Sequence, residues 1–132
     1  SKSLFELIKS KKRNIKALLL DQSMIAGLGN IYADESLWKS KIHPNSYSHK
    51  IPKKRIDNLY NNIRIILTKA IEQNGTTIIN FAVNGESGKY TNELRVYGKN
   101  NSKCYYCSHI IVKIRVAGRG TYICKKCQKK YR

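Results

Sequence analysis

Two Cys-x-x-Cys pairs near the carboxyl end, an aliphatic stripe at helical spacing between Ile56 and Ile71, and alternating hydropathy over residues 112–116 predict a mainly α chain that closes on a small β-hairpin zinc finger. The pairs are Cys104-Tyr-Tyr-Cys107 and Cys124-Lys-Lys-Cys127, with sixteen residues between them and no other cysteine in the chain. A Cys-x-x-Cys turn brings two sulfurs close enough to share one ion, and two such turns joined by a hairpin supply the tetrahedral thiolate set that zinc prefers. Two disulfides are the competing use of four cysteines. They need an oxidising compartment, and the sequence shows neither a secretory signal nor an apolar run long enough to span a membrane. The reading is therefore one structural zinc ion held by Cys104, Cys107, Cys124 and Cys127 in a reducing, intracellular setting. Such a site contributes roughly 10 to 16 kcal/mol of apparent binding energy in finger peptides, so the last third of the chain is expected to depend on metal for its fold.

The helical part begins with a segment around Leu4, Phe5 and Ile8 that ends in the basic run Lys11-Lys12-Arg13. A second short helix is expected over 15–22, with Leu18, Leu19 and Leu20 as core candidates. Gly27-Leu28-Gly29-Asn30 breaks the pattern: glycines permit positive φ or close backbone approach, and Asn30 suits the N-cap of the next helix, expected from Ile31 to about Lys39. Asp34 and Glu35 fall in its early turns, on the favourable end of the helix dipole, with Lys39 and Lys41 at its close. The clearest periodicity lies between Pro52 and Gln73, where Ile56, Leu59, Tyr60, Ile63, Ile66, Leu67, Ala70 and Ile71 share one face. Asn74-Gly75 reads as the C-terminal cap of that helix, and its stripe as a core face.

From Asn84 to Lys103 the composition turns to Gly, Asn, Ser, Lys and Tyr, which reads as loop and linker. Beyond it Val112, Ile114 and Val116 alternate with Lys113 and Arg115, Tyr122-Ile123 form the returning strand, and Gly118-Arg119-Gly120 reads as the hairpin tip. Two domains follow, 1–93 and 94–132.

The chain carries 26 Lys and Arg against 8 Asp and Glu, a formal charge of +18 on 132 residues, and no acidic residue follows Glu93. Such a surface seeks polyanions, and nucleic acid is the leading partner. An anionic membrane surface is the rival, but the basic residues are spread through a patterned chain and form no juxtamembrane block.

Three stretches carry a resemblance: Ile15-Lys16-Ala-Leu-Leu-Leu-Asp-Gln22, then Ile25-Ala-Gly-Leu-Gly-Asn-Ile-Tyr-Ala-Asp-Glu35, then Ile42-His43-Pro44. Together with Gly75-Thr76-Thr77, Glu93-Leu-Arg-Val-Tyr-Gly98 and Arg119-Gly-Thr-Tyr-Ile-Cys124, they resemble the carboxyl-terminal half of the formamidopyrimidine-DNA glycosylases. The resemblance implies a helix-two-turns-helix bundle followed by a four-cysteine zinc ribbon. It also implies a parent enzyme that excises oxidised purines such as 8-oxoguanine and nicks the abasic strand. That family's nucleophile, an amino-terminal proline followed by a glutamate, belongs to a domain that would precede Ser1, while Pro44 and Pro52 are internal. The expectation is no catalytic residue here and no glycosylase or lyase activity from this chain alone; borohydride trapping on abasic DNA is the check.

The same resemblance places three residues on double-stranded DNA, preferably damaged or abasic: Lys16, Asn30 and Arg119. Asn30 precedes a helix whose dipole favours an anion. Lys16 leads the segment where the family sets a phosphate-binding lysine. Arg119 can fork onto phosphate oxygens from a hairpin. Residues 82–91 correspond to the segment that closes over an everted base in the family. The neighbouring endonuclease VIII branch shares this architecture and leaves oxidised pyrimidines open, although the linker and the Arg119 hairpin fit the formamidopyrimidine branch better.

Other groups carry less. Adjacent Asp34 and Glu35 diverge by about 100 degrees on a helix and form no acid/base pair on one substrate. His43, His49 and His109 are scattered, and Tyr105, Tyr106 and Tyr122 read as packing around the finger before base stacking. A free-standing zinc-ribbon module for RNA or a ribosome is the alternative of a different class, and the Gly-Leu-Gly-Asn turn and Arg119 hairpin argue against it. Nothing in the sequence demands more than a monomer.

Overall fold

The computed structural model describes residues 6, 8, 10, 12–21, 29–84 and 94–132, with residue 21 and residues 70–84 described by their backbone alone. Among these residues it holds three α-helices, α1 (Ile15–Asp21), α2 (Asn30–Lys39) and α3 (Lys53–Asn84), a 3-10 turn at Ser48–Lys50, and strands β1 (Val112–Val116) and β2 (Arg119–Ile123). Glu6, Ile8 and Ser10 are also helical. No helix is long and apolar enough to cross a membrane among the described residues.

α1 starts at a cap that the sequence reading passed over. The Asn14 side-chain oxygen accepts from the Ala17 N–H at 3.0 Å, satisfying one of the donors that every helix start leaves open. Leu18 and Leu19 are buried and Leu20 packs partly against the same core. α2 begins one residue earlier than expected: Gly29 is the N-cap, no side chain caps the helix, and Asn30 is its first residue. Asp34 and Glu35 lie beyond the first turn and are buried, so they serve as ties between elements and not as dipole partners.

As far as Leu67 the stripe of α3 is a core face as expected; the side chains of Ala70 and Ile71 lie outside the described residues. Ile56, Leu59 and Ile63 are buried with Ile15, Leu18, Leu19, Ala33, Leu37, Ile42 and Ile51, and Tyr60 and Leu67 pack at the margin. The expected cap at Asn74-Gly75 is corrected: the helix continues through it to Asn84. A glycine inside a helix costs about 1 kcal/mol, which an already propagating helix tolerates. The extension takes in Gly75-Thr76-Thr77 and the first residues, 82–84, of the expected base-recognition loop; positions 85–91 lie outside the described residues.

β1 and β2 pair antiparallel, with Val116 opposite Arg119 and Val112 opposite Ile123. The tip is therefore Ala117-Gly118, both at positive φ (54° and 76°), and Arg119 is the first residue of β2. Two consecutive positive φ values match the right-handed twist of the flanking strands. A second buried cluster joins Trp38 of α2 to Val96, Cys104, Ile111 and Cys124. α2 thus serves two cores: Ala33 and Leu37 face the helical one, and Trp38 faces the finger.

Candidate nucleic-acid interface and metal centre

The sulfurs of Cys104, Cys107, Cys124 and Cys127 all lie within 4.8 Å of one another, and none is in a disulfide. Zn–S bonds of about 2.3 Å in a tetrahedron set sulfurs about 3.8 Å apart. The Cys104–Cys127 and Cys107–Cys124 separations, 3.8 and 3.3 Å, fit that cage. His109 is exposed and its ring faces the Cys107 carbonyl at 3.4 Å, so it adds no ligand. Burial, reinforced by neighbouring thiols, raises Cys124 and Cys127. Burial also opposes ionisation of Cys104, but the Cys107 backbone N–H, the Trp38 indole and the Tyr106 backbone N–H outweigh it and lower the thiol to about 7. A divalent cation among these sulfurs would exchange thiol protons for coordination.

Outer contacts hold the cage to the helical body. The Gln128 side chain accepts from the Cys124 N–H at 2.8 Å and donates to the Ile42 carbonyl at 3.0 Å. Residues 129–131 then run beside 41–47 through Lys129 N–H to Lys41 O, His43 N–H to Lys129 O, and Tyr47 N–H to Tyr131 O. Gln128 carries no motif, and its role was legible only in three dimensions.

The hairpin lies across the amino end of α2. Asn30 Nδ2 donates to the Gly120 carbonyl at 3.2 Å, which brings Asn30 beside the strand residue that follows Arg119. Lys16, which the resemblance places on a phosphate, is buried in the structure. Its ammonium meets Asp34 Oδ1 at 2.8 Å with both side chains fully buried, and donates to Thr121 Oγ1 at 2.6 Å and to the Gly120 carbonyl at 3.4 Å. Asp34 Oδ2 accepts from the Tyr122 N–H at 3.1 Å. Burial raises the Asp34 carboxyl to about 6, against the pull of Lys16 and the Tyr122 N–H, and burial lowers Lys16.

Glu35 points elsewhere, as a 100-degree step requires. Its carboxylate accepts from the N–H groups of Arg95, Val96 and Tyr97 at 2.7–2.8 Å. Burial still raises its pKa, with those three donors opposing the shift. The two adjacent acids therefore clamp the strand that leaves the hairpin and the segment that leads into the finger. Arg119 itself is exposed. Asn30 and Arg119 are thus brought to one edge, while Lys16 lies beneath it.

A helical body whose helix α2 carries a four-cysteine finger across its amino end defines the class: a helix bundle joined to a zinc finger. Residues 1–82 match the formamidopyrimidine-DNA glycosylase H2TH domain and residues 101–130 match the zinc finger found in FPG and IleRS. The chain is 48% identical to the formamidopyrimidine-DNA glycosylase of Lactobacillus acidophilus over 98% of its own length and 47% of the relative's. It is 47% identical to that of Rickettsia canadensis over 86% and 42%. A structure of Lactococcus lactis Fpg with DNA containing an abasic site superposes with a TM-score of 0.87 at 45% identity, covering 98% of this chain and 47% of that one. A MutM complex with DNA containing carbocyclic 8-oxo-G gives 0.87 at 45%, over 98% and 47%. The chain belongs to the formamidopyrimidine-DNA glycosylase family and spans about half the length of the curated relatives it matches.

Proposed function

We propose that this chain is the duplex-gripping portion of a base-excision repair glycosylase and AP lyase acting on oxidised purines, divided into residues 1–93 and a zinc finger over 94–132. The observation that carries the reading is the Asn30–Gly120 contact, which sets the uncapped amino end of α2 next to Arg119. A helix start, whose dipole favours an anion, and the residue next to Arg119 meet at that contact, and both a helix start and a guanidinium suit phosphate oxygens. In this reading Asn30 and Arg119 contact the backbone of damaged or abasic DNA. Lys16 acts from below, through Thr121 and Gly120, by fixing the strand that presents Arg119. The solved relatives bound to abasic and 8-oxo-G DNA support the substrate class, and the four free thiols suit a reducing intracellular compartment. The module works as a monomer.

The test is a titration of the zinc-loaded chain into duplexes with and without a central abasic analogue, at two salt concentrations, repeated with Arg119→Ala. The expected result is tighter binding to the abasic duplex, a loss of about tenfold on Arg119→Ala, and a salt slope shallower by about 0.9 for the lost phosphate contact. Equal affinity for both duplexes that Arg119→Ala leaves unchanged overturns the assignment.

A further inference from the structure

At the opposite end of α2 from Asn30, about 15 Å along the helix axis, a cavity of about 340 Å³ opens between α2 and α3. It is lined by Lys39, Ser40, Lys41, Arg55, Asn58, Asn61 and Asn62. We propose that this cavity binds a phosphate group, separately from the duplex contacts assigned to Asn30 and Arg119. The lining has three cations, three amides and a hydroxyl, with no carboxylate and no apolar side chain. A nucleobase or acyl chain needs an apolar wall, whereas phosphate oxygens need donors and positive charge. The volume is at the small end of ligand sites, enough for a phosphate and an attached sugar.

The positions of these residues support the assignment. Arg55, Asn58 and Asn62 recur at i, i+3 and i+7 on α3, flanking the buried face that carries Ile56, Leu59 and Ile63. Asn62 donates to the Ser40 hydroxyl at 2.9 Å, which pins one amide across the cleft and fixes the spacing of its walls.

Lys39 and Lys41 would have a plainer use if they served the carbonyls at the end of α2. Those carbonyls are already occupied: Ser36 O by the Ser40 N–H, Trp38 O by the Lys41 N–H, and Leu37 O by the Ile42 N–H, each at 3.0 Å. That is the double bond pattern of a Schellman end, in which the residue now occupied by Lys41 is ordinarily glycine. Lys41 sits there at φ 62°, a left-handed conformation that a long side chain adopts at a cost. A cation placed where glycine fits best, with its backbone duty done by N–H groups, is positioned for its charge. Among the described residues no side chain pairs with Lys39, Lys41 or Arg55.

The experiment follows the side-chain amides of Asn58, Asn61 and Asn62 by ¹⁵N NMR in the zinc-loaded chain, at constant ionic strength. The titrants are inorganic phosphate and, separately, a trithymidylate that offers phosphodiesters. Saturable shifts at these amides with either titrant, and an affinity on the order of tenfold lower in Lys41→Gly, support the site. The tighter titrant identifies a free phosphate or a phosphodiester as its source. Lys41→Gly suits the backbone and keeps the fold, so a lost response is not a folding defect; Arg55→Gln is the second variant. Shifts that do not saturate, or that persist unchanged in both variants, overturn the proposal. Duplex affinity read with Arg119→Ala in the same samples keeps the two assignments separable, since either can fail alone.

Discussion

Lys16→Met leaves the Asp34 carboxylate in the interior beside Thr121 and Tyr122 with its counter-charge gone, and an uncompensated buried charge of this kind costs about 3 to 5 kcal/mol. A urea melt of the zinc-loaded chain should show that loss, and Lys16→Met with Asp34→Leu should recover most of it. If Lys16 were a solvent-facing phosphate ligand, the single change would leave the melt unaltered. Two titrating groups tilt stability in opposite senses. His43, buried and facing Lys130, Lys125 and Arg132, has its pKa lowered from about 6.5 to about 4. Its contribution is full above 6.5 and is lost as pH falls toward 4. Asp34, raised from 3.8 to about 6 by burial, contributes most below 3.8 and loses that contribution as pH rises through 6. Thermal melts between pH 7 and 4.5 should fall more gently in His43→Gln and more steeply in Asp34→Asn than in the parent. At Lys41, φ 62° predicts that Lys41→Gly raises stability by about 1 kcal/mol. At this scale the cysteines were fully legible in sequence, because their spacing alone encodes their geometry. Lys16 was not: its partners lie 18 and 105 positions away, and no local pattern reports a burial created by a distant hairpin.

The helices of the core and the hairpin were readable at the level of elements, because periods of 3.6 and 2 reflect which face is buried. Their ends were less so. Asn30 has the composition of a cap, yet Gly29 holds that position, and the Asn30 amide is drawn across to Gly120. Gly75 looks like a stop, yet α3 runs through it. The two backbone states predict opposite signs: in a helix interior Gly75→Ala should stabilise the chain by about 1 kcal/mol, whereas at a left-handed cap it would destabilise. Chemical denaturation decides between them. At the hairpin, Ala117 takes the first of two positive-φ positions, which Asn tolerates better than Ala. Ala117→Asn is expected to stabilise the turn by several tenths of a kcal/mol and to leave Arg119 in register, readable as a higher melting temperature with unchanged duplex affinity.

At the scale of the molecule, two cores share α2, and they should respond differently to loss of metal. A chelator removes the tie among the four sulfurs and with it the packing of Val96, Ile111 and Trp38. The cluster around Ile15, Leu37 and Ile56 contains no cysteine. Far-UV circular dichroism should therefore keep most of its helical signal while the fluorescence of Trp38, the chain's one tryptophan, shifts to the red as its stack on Tyr106 is lost. The docking of residues 129–131 on 41–47 was invisible in sequence, since it is made almost wholly by backbone groups. Those contacts and the Glu35 clamp on residues 95–97 fasten both ends of the finger to the body. The arrangement has a mechanical consequence. If a duplex pulls on Arg119 as proposed, the tension passes first into Gly120, Thr121 and Tyr122, where Asn30, Lys16 and Asp34 carry it into α2. The zinc cage stands behind that anchorage, so such strain would be borne by the helix, with the metal shielded from the pull.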